Sequence, residues 1–392
     1  MKHSPRGLVV LLAAMTAVGP FSIDTYLPAF PAIGAGLGVS AEQVQHTLAA
    51  YLLPFAFMML WHGSLADALG RRRVLLASFA VYALASLVCA LAGSMEVLLL
   101  GRALQGLSAG GGMVVSRAVI RDLYDGPAAH RLIAHTGMIF AAAPAVAPVI
   151  GGWIHAFFDW HAIFIFLALY GIVLFVAVYR MLPETLPASE RQSLHPVPLA
   201  RAYGQVFVNP MFLALSVALA FSFNGFFVYV LSAPVFLMTH LHVSAQGFLW
   251  LFGPAMVGMM LGNYVTAKLA GRVSNGRAIG LGYLTMAGAA LANVLLNLWL
   301  PPALPWAVLP IPFYLFGVAV AMPPLTLRVL DLFPERRGLV SSCQGTVQTG
   351  VNALTASLLA PLAWGSTLGM ALAMASFFGV GLLAFVLGRR SL

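Results

Sequence analysis

Charged residues are scarce in this chain. Only 8% of its 392 residues are Asp, Glu, Lys or Arg, whereas 61% are hydrophobic. A soluble domain carries roughly 25% charged residues, because its surface faces water. The scarcity excludes a soluble globular protein and indicates that most of the surface faces lipid.

The chain also has few cysteines and lacks the common nucleotide-binding motif. The two cysteines, Cys89 and Cys343, lie far apart in apolar segments, which excludes a disulfide framework or a cysteine-rich metal site. The sequence has no P-loop, which argues against ATP-driven transport by this chain. His62, His135 and His161 lie near the ends of spans, and none of the three forms an i, i+4 pair with another ligand, so we expect neither a metal nor a cofactor.

Long apolar runs make up most of the sequence. A membrane-spanning helix needs about 20 apolar residues. The polar segment 183–209 divides the runs into a six-helix bundle at 1–182 and another at 210–392, with an expected site at the midplane between the halves. We therefore predict an all-α membrane protein with twelve transmembrane helices, at 8–32, 43–65, 73–93, 96–116, 131–156, 161–182, 210–238, 245–268, 277–299, 304–327, 337–361 and 366–388.

The basic residues indicate the orientation of the chain. The formal net charge is +9, and every Lys and Arg except Arg102 lies on one side of the twelve-helix arrangement. The charged residues of the opposite loops are Glu42, Glu96 and Asp159. Because cytoplasmic loops are enriched in Lys and Arg, we place both termini and the linker in the cytoplasm. The positive charge needs no nucleic-acid partner.

Asp24 is the only acidic residue well inside a predicted span. A carboxylate in the bilayer core costs about 2.5–3.5 kcal/mol on insertion scales, and desolvation favours its neutral, protonated form. Asp24 is therefore a candidate proton carrier and substrate contact. The alternative is an aspartate near the outer end of the helix that water reaches and the fold merely tolerates.

Arg102 lies near the start of the fourth span. Its guanidinium stays protonated, so it has to be paired or hydrated. One interpretation is that it tunes the carboxyl of Asp24 or binds substrate. The other is that it bonds to backbone carbonyls of neighbouring helices.

Two segments are candidates for gating. Asp67, Gly70 and Arg71 lie in a short turn between the second and third spans, where glycine allows a tight turn and the opposite charges suggest a latch. The fifth span holds two prolines and two glycines, which predict a bent helix with a flat face for close packing or gating. These four residues are Pro144, Pro148, Gly151 and Gly152.

Polar residues also recur in two spans of the second half. Gln344, Gln348 and Asn352 are spaced four residues apart and share one face of the eleventh span. A looser set in the seventh span consists of Asn224, Tyr229 and Ser232. Such residues are expected along a water-filled path. The residues that we assign to substrate binding are Asp24, Tyr26, Gln105, Asn224, Tyr229, Gln344 and Gln348.

These segments resemble the major facilitator superfamily and, within it, the Bcr/CflA (bicyclomycin/chloramphenicol resistance) family of drug/proton antiporters. The resemblance covers nearly the whole chain. It is strongest in the first half, at 21–31, 63–73, 102–106 and 144–152, and further family-like stretches lie at 159–164 and 333–338.

The resemblance implies the major facilitator fold and a role for each matching position. Asp24 would be the site where proton and drug compete, and Arg102 would couple protonation to helix movement. Asp67 and Arg71 would hold the cytoplasmic gate closed. The prolines and glycines of the fifth helix would shape it for antiport.

We therefore expect a multidrug efflux transporter that exchanges protons for small lipophilic drugs of the chloramphenicol or bicyclomycin type by alternating access. We expect a monomer in the bacterial inner membrane. The nearest alternative is a proton-coupled exporter of one metabolite, such as an amino acid, nucleoside or siderophore. Two others are a passive channel and an intramembrane hydrolase that uses Ser108, whose G-x-S-x-G stretch would need a strand–turn–helix.

Overall fold

A computed structural model describes residues 5–124, 126–191, 196–269 and 272–390. Within these ranges every regular element is helical and no strand occurs. The chain divides into two compact units, Met1–Pro196 and Val197–Leu392. The boundary falls inside the predicted linker 183–209. The predicted all-α fold is confirmed.

The N-terminal unit contains seven α-helices and a short 3-10 helix, Leu27–Ala29, between the first two. The α-helices are α1 Pro5–Asp24, α2 Phe30–Leu37, α3 Ala41–Leu69, α4 Arg71–Ala90, α5 Met95–Leu123, α6 Gly126–Phe157 and α7 His161–Met181.

The C-terminal unit adds eight α-helices and two π-helical stretches, Pro234–His240 and Thr355–Leu359. The α-helices are α8 Pro196–Phe207, α9 Pro210–Leu231, α10 Leu249–Leu269, α11 Asn275–Trp299, α12 Pro310–Asp331, α13 Arg337–Leu354, α14 Ala360–Leu362 and α15 Thr367–Arg390.

These helices fit a membrane environment. In the described part of the chain, ten helical segments are long and apolar enough to cross a bilayer. The predicted fifth span falls on α6, and the eleventh on α13 with its π-helical extension and α14. Large apolar side chains such as Leu84, Val173 and Leu284 are more than 60% exposed, as expected of residues that contact lipid. The chain is a multi-pass membrane protein.

The first predicted span, 8–32, lies within one membrane-crossing segment, Gly7–Leu37, but the α-helix is interrupted inside it. In an unbroken α-helix the amide of residue 28 would bond to the carbonyl of Asp24, but Pro28 has no N–H. Helix α1 therefore ends at Asp24, and after the short 3-10 helix the chain resumes as α2. The break places Asp24 at a helix terminus.

The linker was predicted to be a loop, but residues 196–207 form helix α8. Pro196 and Pro198 fall in its first turn, where a proline costs no intrahelical hydrogen bond. Tyr203 and Val206, three residues apart, are buried. The amphipathic pattern of this short stretch outweighs its prolines.

Close helix contacts in both units depend on glycine. A Cβ at Gly106 of α5 would collide with the backbone carbonyl of Tyr51 in α3. In the C-terminal unit, a Cβ at Gly317 of α12 would lie 2.7 Å from the carbonyl oxygen of Gly282 in α11. Gly106 belongs to the G-x-S-x-G stretch, and the Ser108 hydroxyl there bonds to the carbonyls of Leu104 and Gln105 within α5. That stretch is therefore a packing surface inside a helix.

Substituting Gly106 by Ala is expected to lower stability by about 1–3 kcal/mol, because the added methyl overpacks the contact between α3 and α5. The control is Gly19→Ala in α1, where a Cβ meets nothing within 4 Å and alanine favours the helix. The measurement is the thermal unfolding midpoint of each protein in detergent. Equal midpoints for the two variants would contradict the expectation.

Candidate functional site

Asp24 lies at the break in the first transmembrane segment. It is 3% exposed, and its Oδ1 atom has no hydrogen-bond partner among the described residues. Helix α6 packs directly beside it, because a Cβ at Gly151 would collide with the carbonyl of Thr25. The carboxyl is thus buried at a helix terminus, and the described residues include no ion pair with it.

Arg102 of α5 is held in an aromatic cage. The side chain is completely buried, and its guanidinium carbon lies 4.4 Å from the ring centre of Tyr26 and 4.6 Å from that of Tyr51. Cations are attracted to the faces of aromatic rings, and more strongly where water is excluded. The cage stabilises a charge that Arg102 cannot lose.

Hydrogen bonds complete this cage. Arg102 Nη1 donates to Gln105 Oε1 at 2.7 Å, and Gln105 Nε2 donates to Ser86 Oγ at 2.7 Å. Arg102 Nε donates to the carbonyl of Thr47 at 3.4 Å, and the Tyr26 and Thr47 hydroxyls are 2.9 Å apart. Arg102 therefore bonds to one backbone carbonyl of a neighbouring helix, that of Thr47. Its other contacts include the side chains of Tyr26 and Gln105.

Arg102 keeps one unused donor. Its Nη2 atom is buried without a hydrogen-bond partner in the described part of the chain, and the described residues include no ion pair between Arg102 and Asp24. Tyr26 connects the two residues, since it lies two positions after Asp24 and beneath the guanidinium. Near this helix break, Asp24 Oδ1 and Arg102 Nη2 thus both lack hydrogen-bond partners among the described residues.

The fifth span, α6, remains helical through both of its prolines. Pro148, Gly151 and Gly152 are buried, and Pro144 is half-buried. The contact between Gly151 and Thr25 gives the predicted flat face a partner, namely the backbone just after Asp24. The structure therefore brings this segment together with the candidate proton site.

The turn after the second span forms a charge network. Arg71 contacts Asp67, as the sequence suggested, and its Nε donates to Asp122 Oδ2 at 3.1 Å. Its backbone amide donates to Glu184 Oε1 at 2.8 Å. Gly70 has φ +101°, and a Cβ there would collide with the Glu184 carboxylate. The network therefore joins α3, α4, the end of α5 and the segment after α7.

Asp122 and Glu184 were missed as site residues. Each follows a span on the side of the chain that is rich in arginine, so their acidity was a usable signal. Nothing in their spacing from Arg71 indicates contact, because 51 and 113 residues separate them from it.

In the C-terminal unit, the polar residues of α9 have different partners. Asn224 bonds to Asn352 of α13 at 2.8 Å. The Tyr229 hydroxyl accepts from Asn293 at 2.8 Å and is completely buried. Ser232 accepts from the indole of Trp364 at 2.9 Å. They are therefore three separate contacts rather than one polar set.

The eleventh span keeps its polar face. Gln348 Nε2 donates to Asn352 Oδ1 at 3.1 Å, and Gln344 is half-buried one turn earlier. Among the described residues, no group of three or more His, Cys, Asp or Glu side chains is placed to hold a metal ion.

Comparison with known proteins agrees with this architecture. The Major Facilitator Superfamily model matches residues 12–356. A bicyclomycin resistance protein homolog of Haemophilus influenzae is 29% identical over 387 residues, 96% of this chain and 94% of that protein. A chloramphenicol resistance protein of Pseudomonas aeruginosa is 32% identical over 374 residues, 91% and 85% of the two chains. The crystal structure of a D-xylose-proton symporter has the same fold, with a TM-score of 0.73 at 14% identity over 97% of this chain and 96% of that one.

Replacing Asp122 by Asn is expected to lower stability by about 1 kcal/mol, because Arg71 loses a charged acceptor. The matched control is Asp331→Asn, which removes an ion pair with Arg337 whose side chains are both 59% exposed. The Arg71 and Asp122 side chains are only 10% and 19% exposed. The control should change stability little, since exposed pairs contribute little.

Thermal unfolding in detergent at low and high salt provides the measurement. The Asp122 effect should persist at high salt, because screening acts mainly on exposed charges. Equal effects for both variants would contradict a structural role for the Arg71 network.

Proposed function

Because the chain belongs to the Major Facilitator Superfamily and, within it, to the Bcr/CflA family, we propose that it exports small lipophilic drugs in exchange for protons. Membership of this family identifies the chain as a transporter, and the names of its relatives suggest the substrates. Compounds similar to chloramphenicol and bicyclomycin are the proposed substrates.

Asp24 carries this proposal. It is the only buried acidic side chain in the part of the chain that the structure describes. A buried carboxyl without a partner can lower its free energy by binding a proton or by contacting a substrate that compensates its charge. The two events exclude each other at one carboxyl, and this competition is what exchange requires.

Arg102 is the proposed coupling residue. Ionised Asp24 attracts the cation that lies on the Tyr26 ring, two residues further along the chain, whereas protonated Asp24 does not. The unpartnered Nη2 of Arg102 leaves a donor for a change of contacts. Since the helix is already broken after Asp24, a small shift there costs no regular hydrogen bond.

The proposed cycle follows from these charges. From outside, a proton binds Asp24 and the substrate leaves. From the cytoplasmic side, Asp24 releases its proton and admits a neutral or cationic lipophilic compound. Exchange of one proton for one neutral molecule moves one positive charge inward, for which a membrane potential supplies about 2.3 kcal/mol per 100 mV.

The remaining parts of the proposal concern gating and location. The Arg71 network would hold the cytoplasmic ends of α3, α4 and α5 together in one state of the cycle. Helix α6 would move together with the backbone at Thr25, because Gly151 packs directly against that backbone. The bacterial relatives suggest the inner membrane, and the distribution of Lys and Arg supports cytoplasmic termini. We propose that the protein is a monomer there.

Asp24→Asn is expected to abolish both proton release on drug binding and uphill drug export, because asparagine cannot exchange a proton. The measurement is the pH change when chloramphenicol is added to unbuffered protein in detergent. The control is Glu190→Gln, an exposed acid of the linker, which should release protons as the unaltered protein does. Proton release that survives in Asp24→Asn would contradict antiport through this residue.

A further inference from the structure

Three amide side chains in the C-terminal unit form a connected chain. Asn224 Nδ2 of α9 donates to the Ala220 carbonyl and to Asn352 Oδ1, both at 2.8 Å. Gln348 Nε2, one turn before Asn352 in α13, donates to the same Asn352 Oδ1 at 3.1 Å. We refer to Asn224, Asn352 and Gln348 as the amide chain.

The backbone decides which way each amide of the chain points. A backbone carbonyl can only accept, so the Asn224 amide nitrogen must face Ala220. The Asn352 oxygen must then face Asn224 and Gln348, because both present N–H donors. Gln348 Nε2 is also 3.5 Å from the Ala220 carbonyl. The oxygen of Gln348 is therefore directed away from these contacts.

Two acceptor oxygens take no part in the hydrogen bonds of the amide chain. Asn224 Oδ1 is buried and has no hydrogen-bond partner among the described residues. Gln348 is half-buried, so its Oε1 atom is the more accessible of the two. A buried acceptor without a donor is unfavourable, because its desolvation is not compensated, and a ligand with a hydrogen-bond donor would remove this cost.

The charges of the unit define that ligand further. In the described part of the C-terminal unit no Asp, Glu, Lys or Arg side chain is buried, and the charged residues of its spans lie near helix ends, as Lys268, Arg277 and Arg328 do. Amide oxygens carry partial negative charge and repel anions. Without a nearby carboxylate, they do not offset the desolvation of a full cation. A neutral hydroxyl or amide N–H suits them best.

We propose that Gln348 recognises a hydroxyl or amide N–H donor on an uncharged substrate, and that Asn352 and Asn224 are positioning residues that hold its amide. The inference rests on the proposed export of drugs and adds what the C-terminal unit selects. Asp24 binds and releases the proton, and the amide chain selects an uncharged substrate that carries a hydrogen-bond donor.

The experiment compares two probes, chloramphenicol and its N,O-permethylated derivative, which lacks its two hydroxyl donors and its amide N–H. Binding to the full-length protein in detergent is measured by calorimetry. The unaltered protein should prefer chloramphenicol about two- to tenfold, the worth of one neutral hydrogen bond. Gln348→Met, which keeps the length of the side chain without an amide, should lose this preference and bind the permethylated probe unchanged.

Asn224→Leu tests the positioning role. It should reduce the preference while affinity for the permethylated probe stays constant. The control is Gly350→Ala, two residues from Gln348 on another face of α13, where a Cβ meets nothing within 4 Å. This variant should keep the full preference.

Two results overturn the inference. One is a preference that survives in Gln348→Met, and the other is an equal loss of affinity for both probes, which would mark a purely structural residue. If the unaltered protein binds chloramphenicol with Asp24-dependent proton release and either result is found, only this inference fails. If it binds no chloramphenicol, or binds it without proton release, the proposed exchange of drug for protons fails first.

Discussion

A hydrocarbon interior offers no hydrogen bonds, so each backbone N–H and C=O within the bilayer has to be bonded inside the protein. The described chain meets this constraint with helices throughout, and glycines such as Gly106 allow those helices to pack backbone against backbone. Departures from regular helix are few and local. One is the break after Asp24, and two others are the π-helical stretches that extend α9 and α13.

The same constraint explains why the two buried ionisable residues of the candidate proton site have such different surroundings. Arg102 cannot lose its charge, so the fold surrounds it with two aromatic rings and with Gln105. Asp24 can become neutral by taking a proton, so the fold tolerates an Oδ1 atom that has no partner among the described residues. A permanent cation needs permanent partners around it, whereas a titratable acid can do without them because it can bind a proton.

Charge is divided unequally between the two units. Among the described residues, the buried acidic and basic side chains Asp24, Arg71 and Arg102 all belong to the N-terminal unit. The C-terminal unit buries neutral amides instead, arranged from a backbone carbonyl outward through Asn224 to Gln348. The proposed proton exchange and the proposed recognition of neutral donor groups therefore have separate chemical bases.

The sequence by itself determined the membrane-embedded helical fold, because scarce charge and long apolar runs leave no other way to satisfy the backbone in lipid. It also identified Asp24 and Arg102, since an ionisable residue in an apolar run is conspicuous. Only the tertiary structure decided that Arg102 stacks on Tyr26 and Tyr51, that Arg71 reaches Asp122 and Glu184, and that Asn224 orients Asn352. These contacts join residues far apart in the chain, and local periodicity indicates which face a side chain occupies but not which helix lies opposite.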